Sequence, residues 1–417
     1  MKKYFKLIII LIILTIFYLY IANITLIPKT ITLLQGEKLE FATLWGIKIT
    51  QENTSNPNVG TYEQEETMQT SASEIEGSKI SETGKVNMNV NLFENLNVAK
   101  VTVNVVPKTT VIPLGNSIGL KLYTEGVMVV GMSEIEGSKP YENTGIKEGD
   151  RIVEIDNRKI SNTEDLIQTV NSSQGKQVQL KYIKEENDKE IVTNIIPTKT
   201  NKNEYKLGLW VRDATAGVGT ATFYEPESGM FALLGHGITD VDTGDLVTIA
   251  NGELVNSNII SITKGEKGKP GEIKGSIDGE SKIGDISKNT SFGIFGKTSN
   301  KSSLKITEKE MEVIPRNEIK TGKAQIICEL EEGNKKYYDI EIQKVYINNN
   351  EDNKSMLIKV TDDELLEKTG GIIQGMSGSP IIQDGKFVGA ITHVLVSNPK
   401  VGYGVFADMM LKQMKST

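Results

Sequence analysis

The hexapeptide GMSGSP, Gly375 to Pro380, sets a serine among small residues near the end of the chain. A serine hydroxyl attacks a carbonyl only when a base takes its proton. The chain has just two histidines, His236 and His393. If Ser377 is a nucleophile, its base is one of these two or a lysine. His236 lies in LLGHGITD, where an apolar strand pattern runs into a glycine-flanked turn. Glycines permit close approach and unusual dihedrals there. The alternative is a glycine-rich turn that happens to hold Ser377, with His236 as a turn residue bonded to backbone. The single cysteine, Cys328 in AQIICEL, can form neither an intrachain disulfide nor a Cys-rich zinc site. It is expected in a core. No metal site and no cofactor motif is expected.

Such chemistry needs elements to hold it. A chain of 417 residues with 38% hydrophobic content supports two or three packed domains. A net charge of -7, with no long basic run beyond the first residues, argues against nucleic-acid binding. The start MKKYFK is basic, and Leu7 to Ile27 carries no charge. That stretch exceeds the ~20 residues a helix needs to cross a bilayer. We expect a signal-anchor (transmembrane helix) over 7–27, with residues 1–6 cytoplasmic and the remainder outside. A cleaved signal peptide is the alternative.

Residues 28–107 read as a small β region. Within it, 51–85 is a flexible linker too poor in large apolar residues to offset its chain entropy. The heptapeptide SEIEGSK occurs at Ser73 and again at Ser133, without a periodic array. Val86 to Val106 alternates as strands do. Residues 202–417 hold many short alternating strands between turn signals, enough for two β-barrels, and ADMMLKQMKST suits a short terminal helix.

Thr110 to Lys199 resembles a PDZ domain, on SIGL, GVMVVGM and TGIKEGDRIVEIDNRKI, with one helix from Asn162 to Val170. We set this domain at 108–199. The resemblance implies that Ile118, Gly119 and Leu120 present N–H groups to a peptide carboxylate, and that the next strand pairs with the peptide. A PDZ fold docked internally is the alternative.

GMSGSP itself resembles the G-D-S-G-G-P signature of trypsin-like serine proteases, and the register continues without a gap. It implies a hairpin over Ile381 to Val388 turning at Asp384-Gly385, and a substrate strand from Ala390 to Val394 that includes Thr392 and His393. A pocket wall near Val401 to Val405 and a helix from Ala407 follow. The N–H groups of Gly375 and Ser377 then form an oxyanion hole. His393 falls on the substrate strand, which leaves His236 as the base. Two positions depart from the pattern. Met376 replaces the aspartate that pairs with a new N-terminus. Gly371 stands at the pocket base that is acidic in trypsin, so an apolar or small side chain is the expected preference. A lipase-type G-x-S-x-G elbow fits less well, because Ser379 takes the place of the second glycine.

The whole chain resembles the stage IV sporulation protein B peptidases of endospore-forming bacteria, on LLGHGI and IKVTDDELLEKTGGIIQGMSGSPII. The resemblance implies catalytic Ser377, His236 and Asp362. Asp363 and Asp285 compete with Asp362, and VTDDELLEK also reads as a helix start capped by Thr361. It further implies an enzyme lying between the two forespore membranes, possessing itself as one substrate. Its other implied partner is a regulatory membrane protein, whose cleavage releases an intramembrane metalloprotease that processes a late sigma-factor precursor. The expected fold is mainly β: transmembrane helix, PDZ domain, trypsin-like double β-barrel at 202–417. A PDZ scaffold without turnover and a general quality-control protease are the alternatives.

Overall fold

The computed structural model describes residues 15, 29–35, 47–51, 84–92, 96–106, 108–298, 301–347 and 352–416. Apart from Thr15, the expected anchor at 7–27 lies outside the described residues, and so does most of the 51–85 linker. Among the described residues no helix is long and apolar enough to cross a membrane. The chain divides into two compact units: 1–109 with 315–318, and 110–314 with 319–417.

The first unit holds β1 (Thr30–Leu34), β2 (Ile47–Gln51), β3 (Gly84–Leu92) and β4 (Leu96–Val106), in the order β1-β4-β3-β2. The period-2 alternation buries one face: Val86 and Met88 of β3 pair with Val103 and Val101 of β4, all four buried. On the opposite face Thr102 donates to Asn87 at 3.0 Å.

The second unit contains two closed barrels and an inserted module. Its strands begin with β5 (Thr110–Pro113), β6 (Ser117–Met132), β7 (Arg151–Ile155), β8 (Arg158–Lys159), β9 (Val178–Ile183), β10 (Glu190–Ile195), β11 (Thr198–Lys199) and β12 (Tyr205–Lys206). Then come β13 (Leu209–Glu225), β14 (Met230–Leu233), β15 (Ile249–Thr263), β16 (Glu272–Thr290), β17 (Gly293–Lys297) and β18 (Met311–Glu312). The last six are β19 (Gly322–Glu331), β20 (Asn334–Val345), β21 (Met356–Val360), β22 (Pro380–Gln383), β23 (Lys386–Val394) and β24 (Val401–Phe406). The helices are α1 (Thr163–Ser172), α2 (Asp363–Thr369) and α3 (Ala407–Lys415).

The first barrel runs β6-β15-β16-β17-β14-β13 and closes where β13 pairs with β6. Ile118, Leu120, Leu122, Leu233, Leu254 and Ile294 fill it. The second barrel is β19-β20-β21-β24-β23-β22. Its hairpin turns at Asp384 and Gly385, both at positive φ (51° and 76°), as the D-G pair predicts.

The long strands β6 and β13 each serve two bodies. β6 begins in the first barrel, bends at Gly126 (φ 74°), and continues into a separate core of Val127, Ile152, Leu166, Leu180, Tyr182 and Leu207. A side chain at Gly126 would lie 2.1 Å from the Ile152 carbonyl, so only glycine fits that bend. β13 starts beside β6 at Leu209↔Met132 and returns to the barrel at Thr220↔Ser117. The module is therefore an insertion in the first barrel. Residues 117–124, inside the expected 108–199 domain, are barrel strand. Strand alternation reports which face is buried, not which sheet a strand joins.

Candidate active site

Ser377 stands on the loop from α2 to β22. Gly370 ends α2 in a left-handed cap (φ 73°), its N–H donating to the Leu366 carbonyl. Two peptide units of the next turn are then held by their carbonyls. Gln374 O accepts from Ile273 N–H at 2.8 Å. Met376 O accepts from Ser379 N–H at 3.0 Å and from the Ser379 hydroxyl at 2.7 Å. In a trans peptide the N–H points opposite its carbonyl. The N–H groups of Gly375 and Ser377 are thus turned away from those partners. Among the described residues neither meets an acceptor within the chain. Gly375 adopts φ 96°, and a side chain there would lie 2.9 Å from Ile273 Cβ. Met376, at the position of the expected departure, is fully buried in the second barrel's core.

The Ser377 hydroxyl donates to Thr392 O at 2.8 Å. Thr392 and His393 lie on β23, as the register implied. The ring of His393 sits 5.1 Å, centroid to centroid, from that of His236. One strand therefore touches both Ser377 and His236. His236 follows Leu234 and Gly235, both at positive φ (66° and 70°), in a sharp turn after β14. Leu234 is unusual there, since a side chain resists that region. His236 Nδ1 lies 2.8 Å from Gly237 O. A carbonyl only accepts, so Nδ1 carries the proton and Nε2 keeps its lone pair. Burial lowers the His236 pKa from the ordinary histidine value, the Gly237 bond partly opposing. His393 is open to solvent on one side, yet burial of the other side, with His236 and Lys354 nearby, also disfavours its cation.

Asp362 is held elsewhere. It caps α2: Oδ1 accepts from Leu365 N–H at 2.9 Å and Oδ2 from Asp339 N–H at 3.2 Å. The Nδ1 of His236 meets Gly237, not a carboxylate, so the structure brings Ser377 and His236 to the same strand, β23, without Asp362. The helix start is present, with Asp362 rather than Thr361 as cap. Asp363 is exposed in the first turn, and Asp285 pairs with Lys282 at 2.7 Å. Cys328 is fully buried, and burial, with Asp362 and Glu329 nearby, pushes its thiol far above the ordinary range. Among the described residues no cluster of three or more potential ligands could hold a metal ion.

A family model described as SpoIVB peptidase S55 matches residues 203–411, half of the chain, and one described as a PDZ domain matches 109–195. The chain belongs to the SpoIVB peptidase S55 family. It is a serine endopeptidase that carries a PDZ domain. Among solved structures it is similar to the PDZ domain of an SdrC-like protein from Listeria monocytogenes, at 24% identity over 21% of this chain and 87% of that one (TM-score 0.18). It is also similar to the active form of the Rv3671c protease from M. tuberculosis, at 12% identity over 61% and 88% (TM-score 0.27). A third is the HtrA-type protease AlgW with decapeptide, at 14% identity over 52% and 54% (TM-score 0.29).

In this SpoIVB-family peptidase, Ile118, Gly119 and Leu120 do not form an open PDZ loop. They lie between β13 and β15, paired on both sides, so their N–H groups enter barrel ladders. The Ser117 amide donates to Glu329 at 3.0 Å. An open groove is found elsewhere, walled in part by residues beyond the 109–195 PDZ match. It lies between α1 and residues 204–211, with a volume near 640 Å³, and is lined by Leu166, Ile167, Leu207, Leu209 and Trp210. Gly208 has φ 75°, and among the described residues the N–H groups of Leu207 and Gly208 meet no acceptor within the chain. Sequence reading missed this stretch, although Lys206-Leu207-Gly208-Leu209 carries the same x-Φ-G-Φ spacing as Ser117 to Leu120.

Proposed function

We propose that this peptidase is a sporulation signalling enzyme. In this reading it is membrane-anchored with its bulk between the two forespore membranes, cuts itself, and cleaves a regulatory membrane protein. That cleavage releases an intramembrane metalloprotease acting on a late sigma-factor precursor. Family membership and the coupling of a PDZ domain to a peptidase support this reading.

The observation that carries the chemistry is the pair of unspent N–H groups at Gly375 and Ser377, beside a hydroxyl and a histidine lone pair. Ser377 Oγ turns from Thr392 O toward His236, and attacks the peptide carbonyl carbon. Its proton passes to His236 Nε2, and the charge formed on the carbonyl oxygen is taken by the two N–H groups. The C–N bond then breaks, and His236 returns the proton to the leaving amine. Water, activated by the same histidine, releases the acyl group. Thr392 and His393 line the strand along which substrate extends. Gly237 O holds the tautomer, the task an aspartate performs in a triad. The PDZ groove at Leu207 to Trp210 takes an extended peptide end.

The test is mass spectrometry of the full chain in detergent, wild type beside Ser377→Ala. Self-cleavage products, with cuts in the 51–85 linker, are expected from wild type alone. The same products from Ser377→Ala would sink the assignment. Protonated His236 cannot accept the serine proton, so activity falls as pH drops through its lowered pKa. The acid limb of kcat/KM is therefore expected below pH 6.5, the ordinary histidine value. A limb above that value contradicts a buried base.

A further inference from the structure

Thr220 lies on β13, in the first barrel, yet it bonds both to the Ser377 loop and to the turn that leads to His236. Its side chain is almost fully buried, at 3% exposure. Its hydroxyl donates to Gly375 O at 2.7 Å. Its N–H donates to Ser377 O at 3.1 Å, and its own carbonyl accepts from Leu234 N–H at 3.3 Å. Leu234 is the residue at φ 66° that opens the His236 turn. One residue thus ties the oxyanion loop, the nucleophile and the histidine turn together.

The loop needs such a tie. Glycine at Gly375 allows φ 96° but supplies no side chain to hold it there. The peptide units carrying the Gly375 and Ser377 N–H groups are pinned by Ile273 and Ser379, as described above. The unit between them, from Gly375 to Met376, is held on two sides: the Met376 N–H donates to Ile373 O at 3.1 Å within the loop, and Gly375 O takes the Thr220 hydroxyl, its only partner among the described residues and the one anchor from outside the loop. If that unit rotates, the two donors lose their common aim. The approach is also close: a side chain at Gly378 would lie 2.2 Å from Thr220 O and 2.6 Å from Leu234 N.

We propose that Thr220 is a positioning residue for peptide hydrolysis: its hydroxyl holds the Gly375–Met376 peptide so that both oxyanion donors point at one oxygen. This rests on the Ser377 and His236 reading above. It adds a group from outside the catalytic loops that acts through them.

The test uses the full chain and a fluorophosphonate, which labels an active serine and places its P=O in the oxyanion hole, so no cleavage sequence is needed. Loss of one oxyanion donor costs about 10²–10³ in rate. Loss of a support for two donors is expected to slow labelling about 10- to 100-fold in Thr220→Val, per folded molecule as read from a thermal melt. Thr220→Ser keeps the hydroxyl and is expected within about threefold of wild type. The acid limb of labelling should stay where wild type has it, because His236 is untouched. Folded Thr220→Val labelling at the wild-type rate overturns the proposal, and so does Thr220→Ser as slow as Thr220→Val. If Thr220→Val does not fold, Thr220→Cys beside Thr220→Ser makes the same comparison, since a thiol is a poor donor. Equal rates there also overturn it. Wild type that takes no label at all, like Ser377→Ala, overturns the serine reading and this inference with it.

Discussion

Two stretches of this chain share one pattern and have opposite fates. Ser117-Ile118-Gly119-Leu120 and Lys206-Leu207-Gly208-Leu209 both read x-Φ-G-Φ. The first is paired on both edges within a closed barrel, with Ile118 and Leu120 at 3% and 1% exposure. The second opens on α1 with two N–H groups unspent and Trp210 64% exposed beside it. A pattern that can offer donors does so only where neighbouring strands have not taken them. Free backbone groups, rather than residue types, separate a site from a strand.

The largest test breaks the first stretch. A side chain at Gly119 would lie 2.9 Å from Val255 Cγ2 and 3.0 Å from Ile277 Cγ2. Gly119→Val overpacks the barrel and is expected to cost ~3 kcal/mol. Melting temperature and fluorophosphonate labelling should fall together. A stable variant with normal labelling would mean that Gly119 sits in an open loop after all.

The second test breaks the groove and spares the fold. Ile167 is 55% exposed on α1, so Ile167→Asp removes no core packing. It does set a carboxylate where an apolar peptide end would rest. Binding of a peptide with a free, apolar C-terminus, followed by Trp210 fluorescence, should weaken about tenfold or more, which is ~1.4 kcal/mol. Labelling of Ser377 should be unchanged. Unaltered peptide binding would remove the groove from consideration.

Much of this was legible, and the limit is physical. Alternation in β3 and β4, the Asp384-Gly385 turn and the α3 helix are local, and sequence states local preference well. GMSGSP is a local signal for the same reason: its glycines and its serine lie within a few residues of each other. The departure of β6 and β13 from a barrel to carry an inserted module was not legible. Closing that barrel joins β6 to β13 across the whole domain, and no short window contains both partners. Asp362 stayed ambiguous in the sequence, because a motif aspartate and a helix cap look alike until the N–H groups around them are known, and here both its oxygens meet such groups.

A third, smaller test asks whether the groove reports to the cleft. β13 leaves the groove at Trp210, and two residues on, Arg212 bonds to Asp240 and, at 2.7 Å, to Asp242. Asp240 is buried and lies four residues after His236. Arg212→Met cuts that ion pair while leaving the groove lining intact. Because Asp240 keeps bonds from the Asp242 and Thr243 N–H groups, the turn should loosen rather than collapse. The expected result is labelling slowed about fivefold, the low end of coupling between sites. Wild-type labelling would mean that groove and histidine turn are independent along this route.

The smallest expected effect is the most telling, and it applies the same criterion to an acid. If Asp362 were the third member of a triad, Asp362→Asn would leave its shape and cost about 10⁴ in rate through the wrong histidine tautomer. In this structure both of its carboxylate oxygens accept backbone N–H groups, from Leu365 and Asp339, and Gly237 O holds His236 Nδ1. Asparagine caps helices about as well as aspartate. Asp362→Asn is therefore expected to label within about threefold of wild type, while Asp362→Ala loses the cap and ~1 kcal/mol of stability. The Ala variant should then lose activity only as its α2, which leads directly into the Ser377 loop, comes undone, and cooling should restore it. A loss of several thousandfold in a fully folded Asp362→Asn would return the aspartate to the triad. It would also mean that the cleft rearranges, on binding substrate, to bring that carboxylate to His236.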